Sequence, residues 1–369
     1  GWVKRGHVYG SPTVIEGCNG LGPCISPYHL RIAAGKRVFR PGDVLDVDGL
    51  TAFLDKHQGE DIFLFGFTFM IWQHFIDQLK KTGYQPDLSR GILVHGGGWK
   101  KLADVCHASG VPFLAQIHHA GINGIDDVAD CPSDYTPAHA HHTPGKEMSL
   151  DRIVYIRNAF VKTALRCKAA GLDGVELHGC HGYLLSQFMS SRINHRTDEY
   201  GEDDTLFVKE ILESIRIACG PDFCVGIRLA AFEPTMEDGF RHAKALAPYV
   251  DFLDISYGID SDVSACPADF PYRPSFYAAM KIKEMLPDMP IFCVDRITSG
   301  EMAKGALELT QIDGIDVGRG HLVNYNFASD ALAGRDTGTC LHCKGGCSWG
   351  PTGNPDNPCP GKMRFLKRK

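Results

Sequence analysis

Residues 173–201 read DGVELHGCHGYLLSQFMSSRINHRTDEYG, a short apolar run followed at once by two histidines and a tyrosine. The run predicts a strand, which places His178, His181 and Tyr183 at its end. Imidazoles there could hydrogen-bond and polarise a carbonyl or nitro oxygen, while the phenol could deliver a proton. A metal-binding pair or hydrogen-bonded turn histidines are the alternatives, and the length of the string favours a catalytic site.

An apolar strand followed by an amphipathic helix recurs on both sides of this segment. We predict strands at residues 112–120, 173–179, 223–230, 251–258, 290–296 and 314–320. Helix-like stretches lie between them at 151–171, 205–219, 271–286 and 299–309. This alternation predicts a parallel sheet with helical crossovers. A (β/α)8 TIM-type barrel fits best, because a doubly wound open sheet normally carries a glycine-rich phosphate fingerprint after its first strand, and the sequence has none.

Polar residues close nearly every predicted strand, at the edge where such a barrel holds its active site. They are His118, His178, Arg228, Tyr257, Arg296 and Arg319. The Gln116 amide could pair with the donor and acceptor of a flavin pyrimidine edge, and Arg228 could stabilise an anionic reduced flavin beside N1. Gly318 and Arg319 follow the last strand, where such barrels bind phosphate. The alternative for Gln116 is an ordinary polar residue at a strand end, and for Arg228 it is a salt bridge. The alternative for Gly318 and Arg319 is a tight turn.

Residues 340–359 read CLHCKGGCSWGPTGNPDNPC, with the cysteine spacing C-x2-C-x3-C-x11-C. Thiolates of Cys340, Cys343, Cys347 and Cys359 in this spacing can ligate a 4Fe–4S cluster. Structural zinc is the alternative, but zinc sites usually pair two C-x2-C knuckles, and only one is present. The Gly- and Pro-rich loop can wrap a cubane, so the pattern favours iron and sulfur.

The composition argues against several other classes of protein. The chain has 369 residues, of which 44% are hydrophobic, and a net charge of −6, so it shows no basic footprint for nucleic acid. No apolar run reaches the ~20 residues of a membrane span. Its fourteen cysteines lie in a chain longer than a secreted disulfide scaffold, which predicts a reducing cytoplasm.

Six strand–helix units are visible, whereas a closed barrel of this class has eight. The other two should lie within residues 1–101, but that region is rich in Gly and Pro and its apolar runs are irregularly spaced. The sequence therefore predicts a barrel that lacks its first two βα units and follows an unrelated α/β segment.

Residues from about 102 to 360 resemble the Old Yellow Enzyme family of NADH:flavin oxidoreductases, in its iron–sulfur branch with 2,4-dienoyl-CoA reductase, 2-enoate reductase and trimethylamine dehydrogenase. The resemblance is carried by AQIHHAG (115–121), AAGLDGVELHGCHGYLLSQF (169–188), NHRTDEYG (194–201), VGIRL (225–229), DGIDVGRG (313–320) and the cysteine loop. It implies an FMN-bearing barrel that transfers hydride to an activated C=C bond of an enoate, enone or enoyl-CoA.

The same resemblance implies a role for each candidate residue. Tyr183 would protonate the α-carbon, and His178 and His181 would hold the activating oxygen. Gln116 and Arg228 would contact the flavin ring, and Arg319 its phosphate. The 4Fe–4S cluster would relay electrons to the flavin from a separate protein or domain, with NAD(P)H as the ultimate donor.

Residues 1–101 resemble instead a fragment of an acyl-protein synthetase of the bacterial luciferase operon type. The strings YGSPTVIEG (9–17), FLFGFTFMIWQHF (63–75) and GILVHGGGWKKL (91–102) carry this likeness. We therefore predict three parts: 1–101, a barrel at 102–335, and a cysteine loop with its tail at 336–369. The alternatives are ATP-dependent fatty acyl activation by the first part and an inactive chimeric fragment.

Overall fold

In a computed structural model the chain divides into two compact units, Gly1–Val105 and Cys106–Lys369. The structure describes residues 13–15, 24–26, 35–37, 39–40, 44–45, 47–56, 62–66, 77–85, 91–95, 99–124, 129–137, 143–258, 261–343, 347 and 359–368. Within these residues, every helix is too short or too polar to cross a bilayer.

The first unit contains a mixed sheet. Its strands are β1 (Thr13–Ile15), β2 (Cys24–Ser26), β3 (Gly35–Arg37), β4 (Phe39–Arg40), β5 (Val44–Leu45), β6 (Ile62–Gly66) and β7 (Gly91–His95). Its helices are α1 (Val47–Lys56) and α2 (Asp77–Thr82), and α3 (Trp99–Ala108) spans the boundary between the units. Five strands pair in the order β3-β1-β2-β6-β7, where β2, β6 and β7 run parallel. Much of the acyl-protein-synthetase likeness lies outside the described residues, so it stays a prediction.

The second unit is built from alternating strands and helices. Its strands are β8 (Leu114–Ile117), β9 (Ala129–Cys131), β10 (Gly145–Glu147), β11 (Gly174–Gly179), β12 (Cys224–Ala230), β13 (Phe252–Ser256), β14 (Ile291–Val294) and β15 (Gly314–Asp316). Its helices are α4 (Leu150–Ala169), α5 (Leu184–Phe188), α6 (Glu199–Glu202), α7 (Leu206–Cys219), α8 (Met236–Leu246), α9 (Pro274–Met285), α10 (Gly300–Thr310), α11 (Arg319–Val323), α12 (Phe327–Leu332) and α13 (Pro360–Leu366).

Six of these strands form one parallel sheet in the order β8-β11-β12-β13-β14-β15, each within a range predicted from the sequence. Apart from the separate β9–β10 pair, every new strand joins the same edge. A doubly wound sheet would reverse its direction of growth, so the described strands follow the winding of a barrel. The prediction of a parallel α/β fold is confirmed, whereas the loss of two βα units stays a prediction.

Along each strand, side chains point alternately to the two faces of the sheet, and this separates the core from the site. On β11, Val175 and Leu177 are fully buried in the main core, whereas Glu176 and His178 face the other side of the sheet. Strand β12 repeats the pattern with Ile227 in the core and Arg228 on the polar side, directly paired with His178. One face of the sheet therefore packs against the helices, and the opposite face collects polar side chains.

The helices begin where the sequence supplies a cap. Ser149 accepts a hydrogen bond from the Arg152 amide at the start of α4, and Ser299 does the same for Met302 in α10. Thr235 and Asp238 form a reciprocal capping box at the start of α8. Each cap fixes the residue at which the preceding loop ends and the helix begins.

Gly239→Ala is expected to destabilise the second unit by about 1–3 kcal/mol. An added Cβ would lie 2.0 Å from the Ala231 carbonyl oxygen, and backbone cannot swing away as a side chain can. Gly305→Ala is the matched control, since its Cβ meets only the movable Tyr272 hydroxyl within 3 Å. Urea unfolding of both variants measures the difference, and equal stability of the two would contradict the packing argument.

Candidate functional site

The turn after β11 holds the three predicted catalytic side chains together. His181 (φ 55°) and Gly182 (φ 71°) both adopt the left-handed conformation, which reverses the chain within two residues. Asn123 Nδ2 and Gln187 Nε2 donate to the Gly182 carbonyl at 3.0 and 2.6 Å. The turn is thus fixed from both sides, and Tyr183 follows it as the cap of α5.

The rings of this turn converge in one cluster with a third histidine. The Tyr183 ring centroid lies 4.5 Å from that of His178 and 4.9 Å from that of His118. The His178 and His181 centroids are 5.1 Å apart. The structure therefore brings together the predicted trio and adds His118, which closes β8 and had been noted in the sequence only as a strand-end residue.

Both imidazoles of the trio are held neutral. Burial, with smaller contributions from His181 and Arg228, lowers the pKa of His178 to about 3. Burial and then Arg228 lower the pKa of His181 to about 4. His181 Nε2 also lies 2.7 Å from Ser256 Oγ, which orients that ring. At neutral pH each ring offers one N–H donor, so the pair can hydrogen-bond an oxygen without adding positive charge.

The lowered pKa of His178 predicts acid destabilisation. In the unfolded chain, His178 takes up a proton below its ordinary pKa of 6.5, whereas in the folded chain it stays neutral down to about pH 3. Stability therefore falls as the pH falls through this window. At pH 4.5 the loss is about 2–3 kcal/mol. His178→Asn should reduce the difference between the urea midpoints at pH 7 and pH 4.5 by the contribution of His178. His195→Asn is the control, and an unchanged difference in His178→Asn would contradict the assignment.

A charged network continues the site across the sheet. Gln116 Nε2 donates to Glu176, its neighbour on β11. Arg228 Nε lies 3.1 Å from Asp254 Oδ2, which is 2% exposed as a residue. The geometry of this ion pair does not make a hydrogen bond, so the buried Nε donor has no acceptor among the described residues. The salt bridge considered for Arg228 is therefore present, together with an unused donor facing the polar side.

The predicted phosphate and cluster residues share a second location. The four cysteines Cys340, Cys343, Cys347 and Cys359 line one cavity of about 320 Å³ together with Arg296 and Arg319. Gly318 caps α11 beside it, and a Cβ built there would meet nothing within 4 Å. Two guanidinium groups beside four thiols suit a phosphate next to a thiolate-ligated cluster.

Several residues of the site carried no assigned role at the level of sequence. Glu176, Asp254 and Ser256 contact the predicted residues, and Asp295 lies against Arg273 at 3.1 Å. Glu176 and Asp254 lie in the middle of their strands, so only the register across neighbouring strands shows which residues they pair with. The Asp295 ion pair offsets a negative charge that would otherwise disfavour phosphate nearby.

Comparison with known proteins places this geometry in a family. The sequence model of the NADH:flavin oxidoreductase / NADH oxidase family matches residues 94–337. An NADH oxidase of Thermoanaerobacter brockii is 34% identical over 273 residues, which cover 69% of this chain and 41% of that protein. The 12-oxophytodienoate reductase 2 of Arabidopsis thaliana is 36% identical over 183 residues, or 45% of this chain and 49% of the relative.

A solved structure of 2-naphthoyl-CoA reductase in complex with 2-naphthoyl-CoA superposes with a TM-score of 0.56. It is 25% identical, and the alignment covers 66% of this chain and 42% of the reductase. The chain therefore spans half or less of the length of these three proteins.

Proposed function

The chain belongs to the NADH:flavin oxidoreductase / NADH oxidase family, and from this premise we propose that it is an FMN-dependent ene reductase. Its substrate class is a small molecule with an activated C=C bond, an enoate, enone or enoyl-CoA, and NAD(P)H is the ultimate electron donor. The convergence of two neutral imidazoles and a phenol at one strand end carries this proposal.

The residues present fit both implied cofactors. For FMN, the unused Arg228 donor and the Gln116 amide suit the ring, and Arg319 with the open space above Gly318 suits the phosphate. For the 4Fe–4S cluster, four thiols line a single cavity. When bound, FMN supplies the hydride and the cluster supplies single electrons.

The side chains of the turn divide the work on the substrate. His178 and His181 donate hydrogen bonds to the carbonyl oxygen, which polarises the alkene and makes its β-carbon electrophilic. Tyr183 gives a proton to the α-carbon, so the C=C bond becomes a C–C bond with one hydrogen added at each end. His178 is buried and Ser256 orients His181, so these donors favour the enolate-like charge that develops on this oxygen.

We place the chain in the iron–sulfur branch of the family on the strength of the cysteine cavity. Electrons would then arrive from a separate donor protein or a further domain. The proposal also includes a cytoplasmic location and the absence of the first two βα units. It divides the chain into 1–101, 102–335 and 336–369. For residues 1–101 we propose only a resemblance to acyl-protein synthetases.

An anaerobic preparation tests the proposal directly. Flavin and iron are quantified in the purified chain, which is then reduced with dithionite and mixed with an enone, a 2-enoate or an enoyl-CoA in a single turnover. We expect bound FMN and the saturated product of at least one class. Bound FMN without saturated product from any of them would overturn the ene reductase assignment, and failure to bind added FMN would overturn the cofactor assignment.

A further inference from the structure

The turn after β11 contains a thiol that the proposed reduction does not use. Cys180 lies between His178 and His181 in the sequence, and its side chain is fully buried. One ligand atom from each of these three residues lies within 4.8 Å of the other two. We propose that His178, Cys180 and His181 form a zinc-binding site, and that Zn²⁺ bound there interferes with binding of the substrate oxygen.

The spacing of the ligand atoms carries the proposal. Zinc binds cysteine sulfur at about 2.3 Å and histidine nitrogen at about 2.0–2.1 Å in a tetrahedron, which puts a nitrogen and a sulfur ligand about 3.6 Å apart. His178 Nδ1 and Cys180 Sγ are 3.6 Å apart. One edge of the tetrahedron therefore already exists, and the His181 ligand atom lies within 4.8 Å of the other two.

The support of His181 and the ligand types also suit zinc. Ser256 Oγ holds one ring nitrogen of His181 at 2.7 Å, the arrangement that orients metal-binding histidines. Burial raises the pKa of the Cys180 thiol, so zinc binding must release its proton. Two imidazoles and a thiolate select zinc over magnesium or calcium, which prefer oxygen ligands.

The consequence depends on the proposed function. His181 would have one ring nitrogen on zinc and the other on Ser256 Oγ. It could then no longer donate to the carbonyl oxygen, so zinc would compete with the alkene. Metal binding itself does not depend on ene reductase activity. The two claims can therefore fail separately.

Zinc K-edge absorption of the zinc-loaded holoprotein identifies the site. We expect a shell with two nitrogens at about 2.0–2.1 Å and one sulfur at about 2.3 Å. Zinc in the cysteine loop would give an all-sulfur shell instead, and the same measurement on Cys343→Ala/Cys347→Ala removes that contribution. If the loop proves to hold zinc, the cluster proposal fails while this one stands.

Cys180→Ala supplies the decisive comparison. Its zinc dissociation constant, measured by equilibrium dialysis, should rise at least about tenfold, while turnover without zinc is retained. Cys293→Ala, which removes another fully buried thiol on β14, is the matched control, and Cys180→Ser serves if the alanine variant folds poorly. Unchanged zinc affinity in the Cys180 variants, or zinc inhibition that is not competitive with the alkene, would overturn the proposal.

Discussion

Tyr183→Phe is expected to slow alkene reduction by about 10²–10⁴-fold, the range that a positioned general acid contributes. The substitution removes only the phenolic O–H, so the ring contacts at 4.5 Å with His178 and 4.9 Å with His118 remain. Substrate binding through the two histidines of the turn should therefore persist. The rate at which the alkene reoxidises the reduced protein, followed by stopped flow, measures the effect.

Two comparisons separate proton delivery from a general disturbance of the pocket. Reduction of the protein by NAD(P)H or dithionite involves no proton transfer to the alkene, so it should proceed at the normal rate in Tyr183→Phe. Tyr257→Phe removes a second phenol directly after β13, two strands from β11, and should change alkene reduction little. A normal alkene rate in Tyr183→Phe would show that another group supplies the proton, with His118, whose ring lies 4.9 Å from that of Tyr183, as the next candidate.

Local sequence was sufficient to predict the six strands of the large sheet and the four helices α4, α7, α9 and α10 of the second unit. The apolar run before His178 and the repeated strand–helix spacing reflect burial against one sheet face, which each segment reveals by itself. Helix α8 was missed, although Thr235 and Asp238 form a capping box at its start. Its buried face combines the apolar Met236 and Leu246 with the small Gly239 and Ala243 and with His242.

The trio of the turn was predictable because three side chains within six residues share one strand end. Its electrostatic state was not predictable, since the low pKa values of His178 and His181 arise from burial and from Arg228 on the next strand. The pairing of Gln116 with Glu176 likewise depends on register between β8 and β11. Sequence identifies candidate residues, whereas the sheet decides which of them meet.

Cys343→Ala is expected to abolish the iron–sulfur centre, taking the iron content from about four atoms per chain to near zero. Four thiols line one cavity, and a cubane that loses a ligand on its solvent side is open to hydrolysis and oxidation. Cys343 is the exposed member of the set. Reduction of the chain by an external one-electron donor should be lost with the cluster.

The same cavity would couple the proposed cluster to the flavin phosphate. Arg296 and Arg319 line it beside the cysteines, so loss of the cluster should loosen these guanidinium groups and lower the FMN content as well. Cys266→Ala, which removes a partly exposed thiol outside the loop, should retain both iron and FMN. One zinc per wild-type chain without iron would reassign the loop as a structural site. Full iron in Cys343→Ala would instead remove that residue from the ligand set, because an Fe–S cubane of this type takes one thiolate for each of its four irons.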